Sequence, residues 1–207
     1  MGSFAGMFER CLWTASNNTP RYSGEMSSGR PRVTSRATIA EAATELFLER
    51  GFADTTVADI TQRAGVSRSS FFNYFTSKSA ILWAGLDEGI EVTAGALRRG
   101  TPVSTALRAI ASGIDLDALA LGILHSTAMG ISGELAEERA IRTGVLARAV
   151  ADRYIADGSA RLAAEVRAAG HAGAVLAAIW AWAASGPVRP PLAAVLDDAL
   201  ALAAIDR

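Results

Sequence analysis

A single lysine, Lys78, stands in a chain of 207 residues; all other basic side chains are arginines. With 20 basic and 21 acidic residues the formal net charge is −1. That excludes a polycation acting through charge alone, so an anionic partner must meet a local basic patch. One cysteine, Cys11, excludes an internal disulfide and fits a reducing compartment, the cytoplasm. Beside it stand only two histidines, His125 and His171, too few for a zinc cluster, and neither a metal nor a cofactor is expected. The most apolar run, 172–184, falls short of the ~20 residues of a spanning helix. The opening MGSFAGMFERCLW has no cationic start and no long apolar core, so neither a membrane anchor nor a secretion signal is expected. No stretch alternates with the two-residue period of a strand.

Hydrophobic residues make up 50% of the chain and charged ones 20%, a folded globular balance rather than a disordered one. Residues 1–32 form the exception. Asn17, Asn18, Pro20, Gly24, Ser27, Ser28, Gly29 and Pro31 punctuate an irregular tail without periodicity. Met26 is a candidate start, which would make 1–25 an optional extension. Arg30 and Arg32 precede the first helix, as a short basic arm or a solvated tail. From Thr34 onward the pattern is helical. Ile39, Ala42, Ala43, Leu46 and Phe47 repeat at the spacing of one buried face, and Gly51 closes that helix. A second helix is expected from Thr56, with Asp59 in capping-box position, and a third over 68–75 behind Ser67. A fourth runs from Lys78 toward Arg99 behind Ser77. Further helices are expected over about 102–112, 117–129, 134–156, 159–184 and 190–205.

The stretch from Thr55 to Leu82, TTVADITQRAGVSRSSFFNYFTSKSAIL, holds the most specific signal. Two short helices around Gly65 form a helix-turn-helix, whose second helix is built to enter a major groove. Ile60, Ala64, Val66, Phe71 and Phe75 are the expected packing. Thr56, Tyr74 and Lys78 are placed to grip phosphates. Arg68, Ser69, Ser70 and Asn73 face the bases, with Arg68 suited to guanine, and Phe72 is left to touch thymine methyls or sugars. Helix–glycine–helix segments also occur in proteins that bind no DNA, and aromatics at helical spacing are usually core.

Residues 36–82 resemble the DNA-binding domain of the TetR family. The resemblance rests on IAEAATELF (39–47), Glu49 to Phe52, Thr55-Thr56-Val57, Asp59-Ile60, Ala64 to Ser67, Phe71 to Phe75 and Ser77-Lys78. Ser79 departs from it, since the family often has an acid there. The resemblance implies an all-α homodimer: a helix-turn-helix domain, here 33–80, and a C-terminal bundle, here 81–207, that binds a ligand and dimerises. It implies operator DNA as partner, repression as the commoner mode, and Thr56, Tyr74 and Lys78 on the backbone. The helices 159–184 and 190–205 resemble the dimerisation pair, with Leu162, Val166, Leu176, Trp180, Leu192, Val195, Leu196 and Leu200 on their apolar faces. Within the bundle, Trp83, Leu86, Ile90, Leu121, Leu124, His125, Met129, Tyr154 and Trp180 are the candidate ligand contacts. Few charges fall on these faces, so a largely apolar effector is expected. His125 is either a core histidine or such a contact. The segment from Lys78 to Asp87 is also similar to a branch found near mycofactocin-type redox gene clusters. Two other readings compete: a helical dimer that serves as an interaction module, and an all-helical enzyme. The enzyme would rest on His125 or His171 with Asp152, Asp157 or Glu165, but no nucleophile–base spacing and no phosphate loop supports it, and no catalytic residue is assigned.

Overall fold

The computed structural model describes residues 36–204 apart from Gly113 and Pro187. The expected tail 1–32, with Cys11, Arg30 and Arg32, lies outside the described residues. Every regular element among the described residues is helical: α1 (Arg36–Arg50), α2 (Val57–Ala64), α3 (Arg68–Phe72), α4 (Ser79–Arg98), α5 (Val103–Arg108), α6 (Asp117–Leu124), α7 (Ser132–Ala156), α8 (Arg161–Ala184) and α9 (Leu192–Ala203). A 3₁₀ turn, Ala109–Ala111, extends α5. The all-α class expected from the missing strand pattern is therefore the observed one.

Several helices are shorter than their apolar patterns predict. The third ends at Phe72 rather than 75, because Asn73 and Tyr74 turn the chain. The sixth ends at Leu124 rather than 129, and a turn over 125–130 follows, with Gly130 at φ 69. Apolar spacing carries on through both turns because turn side chains can also point at the core.

α1, α2 and α3 form one corner, and α1 joins it to the rest against both α4 and α6. α8 runs between α7 and α9 and also meets α6, while α4 packs on α7 and α6. One core continues through the whole assembly, from Ile39, Phe47 and Phe71 through Trp83 and Leu86 to Leu196 and Leu200. α8 is 24 residues long and, by length and composition, apolar enough to cross a membrane. The run at 172–184 therefore understates the helix it lies in. Its alanines at 164, 168 and 172 and its Val175, Leu176 and Ile179 are buried within the bundle, as in the core helix of a globular protein.

Small residues set where α4 lies. A Cβ on Gly85 would sit 1.7 Å from the carbonyl oxygen of Asp115, and one on Gly89 2.9 Å from Ile114 Cδ1. The segment before α6 thus rests directly on the α4 backbone. At the head end, Arg36 of α1 donates to the carbonyl of Ala84 (3.1 Å) and to Glu88 (3.2 Å), which ties α1 to the same helix.

Candidate nucleic-acid interface

Short-range hydrogen bonds build the helix-turn-helix. Thr56 caps α2: its hydroxyl accepts from the Asp59 N–H (3.2 Å), and the Asp59 carboxylate accepts from the Thr56 N–H (2.9 Å) and hydroxyl (2.6 Å). Those bonds, with Arg50 3.6 Å away, hold the Asp59 carboxyl below its ordinary pKa. Gly65 ends α2 at φ 68, a left-handed conformation that a side chain resists, so a glycine belongs there. Ser67 caps α3 by accepting from the Ser70 N–H (3.0 Å). Behind this frame Ile60 and Phe71 are fully buried and Phe75 nearly so, as their spacing predicts.

Arg63 fastens α2 to α1, donating to Glu49 (2.7 and 3.0 Å) and Glu45 (3.0 Å). That hydrogen bonding lowers the Glu49 carboxyl below the usual carboxylate range and raises the Arg63 guanidinium further above its own. Arg63 is thereby held as a strut between helices.

The outer face of α3 carries the expected reading set. Arg68, Ser69, Phe72, Asn73 and Tyr74 are exposed, and Ser70 is half-buried. The hydroxyls of Ser69 and Ser70 both lie 2.8 Å from that of Ser67, so this trio shares its hydrogen bonds before any base arrives. Arg68 lies over the ring of Phe72, 5.7 Å from its centroid. That stack keeps the guanidinium on the α3 face.

Lys78 stands apart from the other residues expected to grip a DNA backbone. Its ammonium is half-buried and donates to the carbonyls of Phe52, Ala53 (3.3 Å) and Thr55 (3.0 Å), and it sits 4.3 Å from the Phe52 ring centroid. The only lysine therefore clamps the loop between α1 and α2. Phe52 also donates its N–H to the carbonyl of Met129 (3.4 Å), in the turn between α6 and α7. Sequence reading missed this junction, because Phe52 looks like one more core aromatic.

The candidate ligand contacts are spread through the bundle. Trp83, Leu86, Ile90 and Met129 are buried, while Leu121, His125, Tyr154 and Trp180 are half-buried and Leu124 is exposed. Tyr154 lies beside His171, with centroids 6.0 Å apart, and under the guanidinium of Arg167. Trp180 stacks on Trp83, centroids 5.9 Å apart, and borders a cavity of about 330 Å³ with Ile123, Ser126, Ser132, Leu135, Ala136 and Arg139. A groove of about 560 Å³ runs between the ends of α4 and α7, with Leu97 and Ala149 in its floor and Arg98, Arg148, Asp152 and Arg153 around it. Sequence patterning gave no signal for Arg139 and Arg142. Arg142 is 12% exposed at its side chain, pairs with Asp87 (2.7 Å) and Glu138, and lies 4.1 Å from the Trp83 centroid.

Of the apolar residues expected at a dimer seam, Leu176, Leu196 and Leu200 are buried inside this chain, and Trp180, Leu192 and Val195 are half-buried. Leu162 (74%) and Val166 (65%) remain exposed on α8.

A corner of three helices, with a capped helix–glycine–helix pair, set against a larger helical body defines a helix-turn-helix fold. Residues 39–84 match the family model described as bacterial regulatory proteins, tetR family, so this segment of the chain is similar to the head of that family. MftR of Mycobacterium tuberculosis (strain ATCC 25618 / H37Rv), a transcriptional regulator named for mycofactocin biosynthesis, is 44% identical over 59 residues, 28% of this chain and 30% of its own. DhaR of Mycobacterium sp. (strain GP1), an HTH-type transcriptional repressor, is 45% identical over 49 residues, 24% of this chain and 25% of its own. The chain thus spans less than a third of the length of these curated relatives. Among solved structures, the dihydroxyacetone kinase operon activator DhaS aligns with a TM-score of 0.51 at 16% identity, over 82% of this chain and 93% of that one, which is likeness of fold.

Proposed function

We propose that this chain is a ligand-responsive transcriptional repressor that binds an operator as a homodimer and releases it when a small molecule binds the bundle. Residues 33–80 read DNA, and 81–207 sense and dimerise. The observation that carries the reading is the α3 face: Arg68, Ser69, Asn73 and Tyr74 exposed over a sealed Phe71–Phe75 core, behind a left-handed glycine turn. Arg68 reads a guanine and the small polar residues beside it read neighbouring edges. Thr56, Ser70, Phe72 and Lys78 complete the interface. Repression is the mode of DhaR, the HTH-type repressor that is 45% identical over 49 residues. The operator lies on the chromosome, so the protein works in the cytoplasm.

The dimer forms through α8 and α9. Leu162, Val166, Ala169, Gly170, Ala177 and Ala181 share an exposed stripe of α8 whose small members let a partner helix come close. In the dimer the two α3 helices stand one turn of DNA apart, roughly 34–36 Å. A ligand releases DNA only by binding a second conformation more tightly than the first. α4 is the lever, held between Lys78 at the head and Arg142 in the body. The test is fluorescence polarisation on DNA from upstream of the protein's own gene. Sequence-specific binding is expected, and Arg68→Ala should cost about 1–3 kcal/mol of discrimination at one base pair. No binding even at low salt would sink the regulator and favour the interaction module. Turnover of a small molecule would favour the enzyme.

A further inference from the structure

The bundle contains two tryptophans and two arginines in contact, and the two arginines differ in one respect. Arg142, over Trp83, has its charge answered by Asp87 and Glu138. Arg139, one turn earlier on α7, lies 4.5 Å from the Trp180 centroid and has no carboxylate within ion-pair distance among the described residues. Glu138, its neighbour, is committed to Arg142, and Glu134 and Glu137 are exposed. Arg139 lines the cavity of about 330 Å³ at the junction of α6 and α7. Ser126 and Ser132 line it too, and neither hydroxyl has a protein partner among the described residues. Ile123, Leu135, Ala136 and Trp180 supply the apolar walls.

A second donor lies behind Trp180, outside the lining of the cavity, and is also unanswered. The indole N–H of Trp83 has no acceptor, although the residue is only 1% exposed. Buried donors nearly always find a partner, so this N–H is an exception in the core of the bundle. Two hydroxyls, a half-buried uncompensated guanidinium and a flat indole wall call for one kind of guest. It must carry a negative charge for the guanidinium fork, accept hydrogen bonds, and present an apolar ring for Trp180 and Leu135.

We infer that this cavity binds a planar aromatic carboxylate and that such a compound is the effector. The inference rests on the regulator reading above and narrows the largely apolar ligand to one with a single anionic head. The carboxylate engages Arg139 and the serine hydroxyls while the ring lies among Ile123, Leu135 and Trp180. Ser126 belongs to the turn over 125–130, and its carbonyl accepts from the Ile131 N–H (3.0 Å). The same turn holds the Phe52 N–H through Met129, and Phe52 in turn holds Lys78. A guest on Ser126 therefore acts on the turn that supports the head.

Calorimetry on the full chain tests this with 2-naphthoate and its uncharged counterpart 2-naphthamide. The acid should bind at least about ten-fold more tightly than the amide, the usual worth of one charge-assisted contact. Arg139→Gln should abolish that preference and Arg139→Lys should retain part of it, both with an unchanged helical spectrum. Equal binding of acid and amide, failure of the acid to bind, or a preference that survives Arg139→Gln would overturn the site. On operator DNA, 2-naphthoate should release the wild type and leave Arg139→Gln bound. A preference in binding without release would overturn the effector role and leave the site standing. Binding of 2-naphthoate by a protein with no affinity for DNA would instead defeat the regulator reading alone.

Discussion

In the α1–α3 head, the ends of α2 and the start of α3 are closed by residues a few positions apart. Thr56 meets Asp59, Ser67 meets Ser70, and Gly65 donates to the carbonyl of Gln62. In the α4–α9 body the deciding contacts span long stretches of chain. Arg142 reaches Asp87 across 55 residues and Arg108 reaches Asp197 across 89. The head is specified by local chemistry and carries a motif, while the body is specified by pairings between distant helices and carries none. Two regions of one protein therefore need different kinds of evidence. Caps and spacing suffice for a reader of DNA, whose target has one shape. A ligand cavity exists only once the helices are assembled.

The strongest way to break that contrast is to unfold one region alone. Phe71 is fully buried at the centre of the head. Phe71→Ala should cost about 3–5 kcal/mol there and abolish operator binding. The described tryptophans, Trp83, Trp180 and Trp182, all lie in the body, so their fluorescence melt should move little. A tryptophan transition that falls together with DNA binding would show that the two regions fold as a single unit through α4.

The body's long-range pairing is tested by Arg142→Met. It removes a two-pronged bond to Asp87 and the cation over Trp83. Asp87 is half exposed and can rehydrate, so a loss of about 1–3 kcal/mol in denaturant melts is expected. The matching control is Arg161→Met, which breaks an exposed pair with Glu165 one turn away. It should stay within about 0.5 kcal/mol of wild type. Equal effects would mean that burial of Arg142 contributes nothing.

Lys78 crosses the boundary between the two kinds of evidence. Its place in the motif leads one to expect a phosphate contact, and its geometry makes it a clamp on three carbonyls. Lys78→Met should lower the stability of the DNA-free protein by about 1–3 kcal/mol, since charged hydrogen bonds are lost. A residue that only held phosphate would leave that stability alone and reduce the salt slope of operator binding by about 1. Measuring both in the same variant separates the roles.

Much of the head was legible beforehand. The capping box at Thr56, the Gly65 turn, the Ser67 cap and the buried Phe71 and Phe75 all follow from rules that act within one helical turn. The length of α3 was not, because Asn73 and Tyr74 continue the apolar register while turning the chain. In the body, the helices themselves were legible but their partners were not. Leu196 and Leu200 looked like a surface for a second copy and are spent inside this chain. Arg139 and Arg142 looked alike by sequence. Only the fold shows that one is answered by acids and the other faces a cavity, since the acids that answer Arg142 include Asp87 on another helix. The Phe52–Met129 contact joins residues far apart, so no local pattern signals it.

The smallest expected effect concerns acid, and it belongs to the head. Asp59 is lowered by the Thr56 hydroxyl and N–H and by Arg50, and Glu49 by Arg63. A carboxyl whose folded pKa lies below its unfolded one favours the folded state in its charged form. That contribution is complete above the unfolded values of about 4 and fades as pH falls through the lowered folded values. Above pH 5, roughly, the head should be indifferent to pH from these two groups. Below about pH 4 it should lose stability as α2 loses its cap and its strut to α1. Arg63 remains charged throughout and has no part in the titration. Glu49 is exposed and Asp59 half-buried but open to solvent, so water screens the effect and the shift in melting midpoint should be the least of the four. Asp59→Asn keeps an oxygen for the Thr56 N–H but removes the proton equilibrium. Helicity melts at falling pH should show a weaker acid dependence in that variant than in wild type, with the tryptophan signal of the body the same in both. An identical acid profile in the two proteins would show that the capping box does not set the head's response to pH.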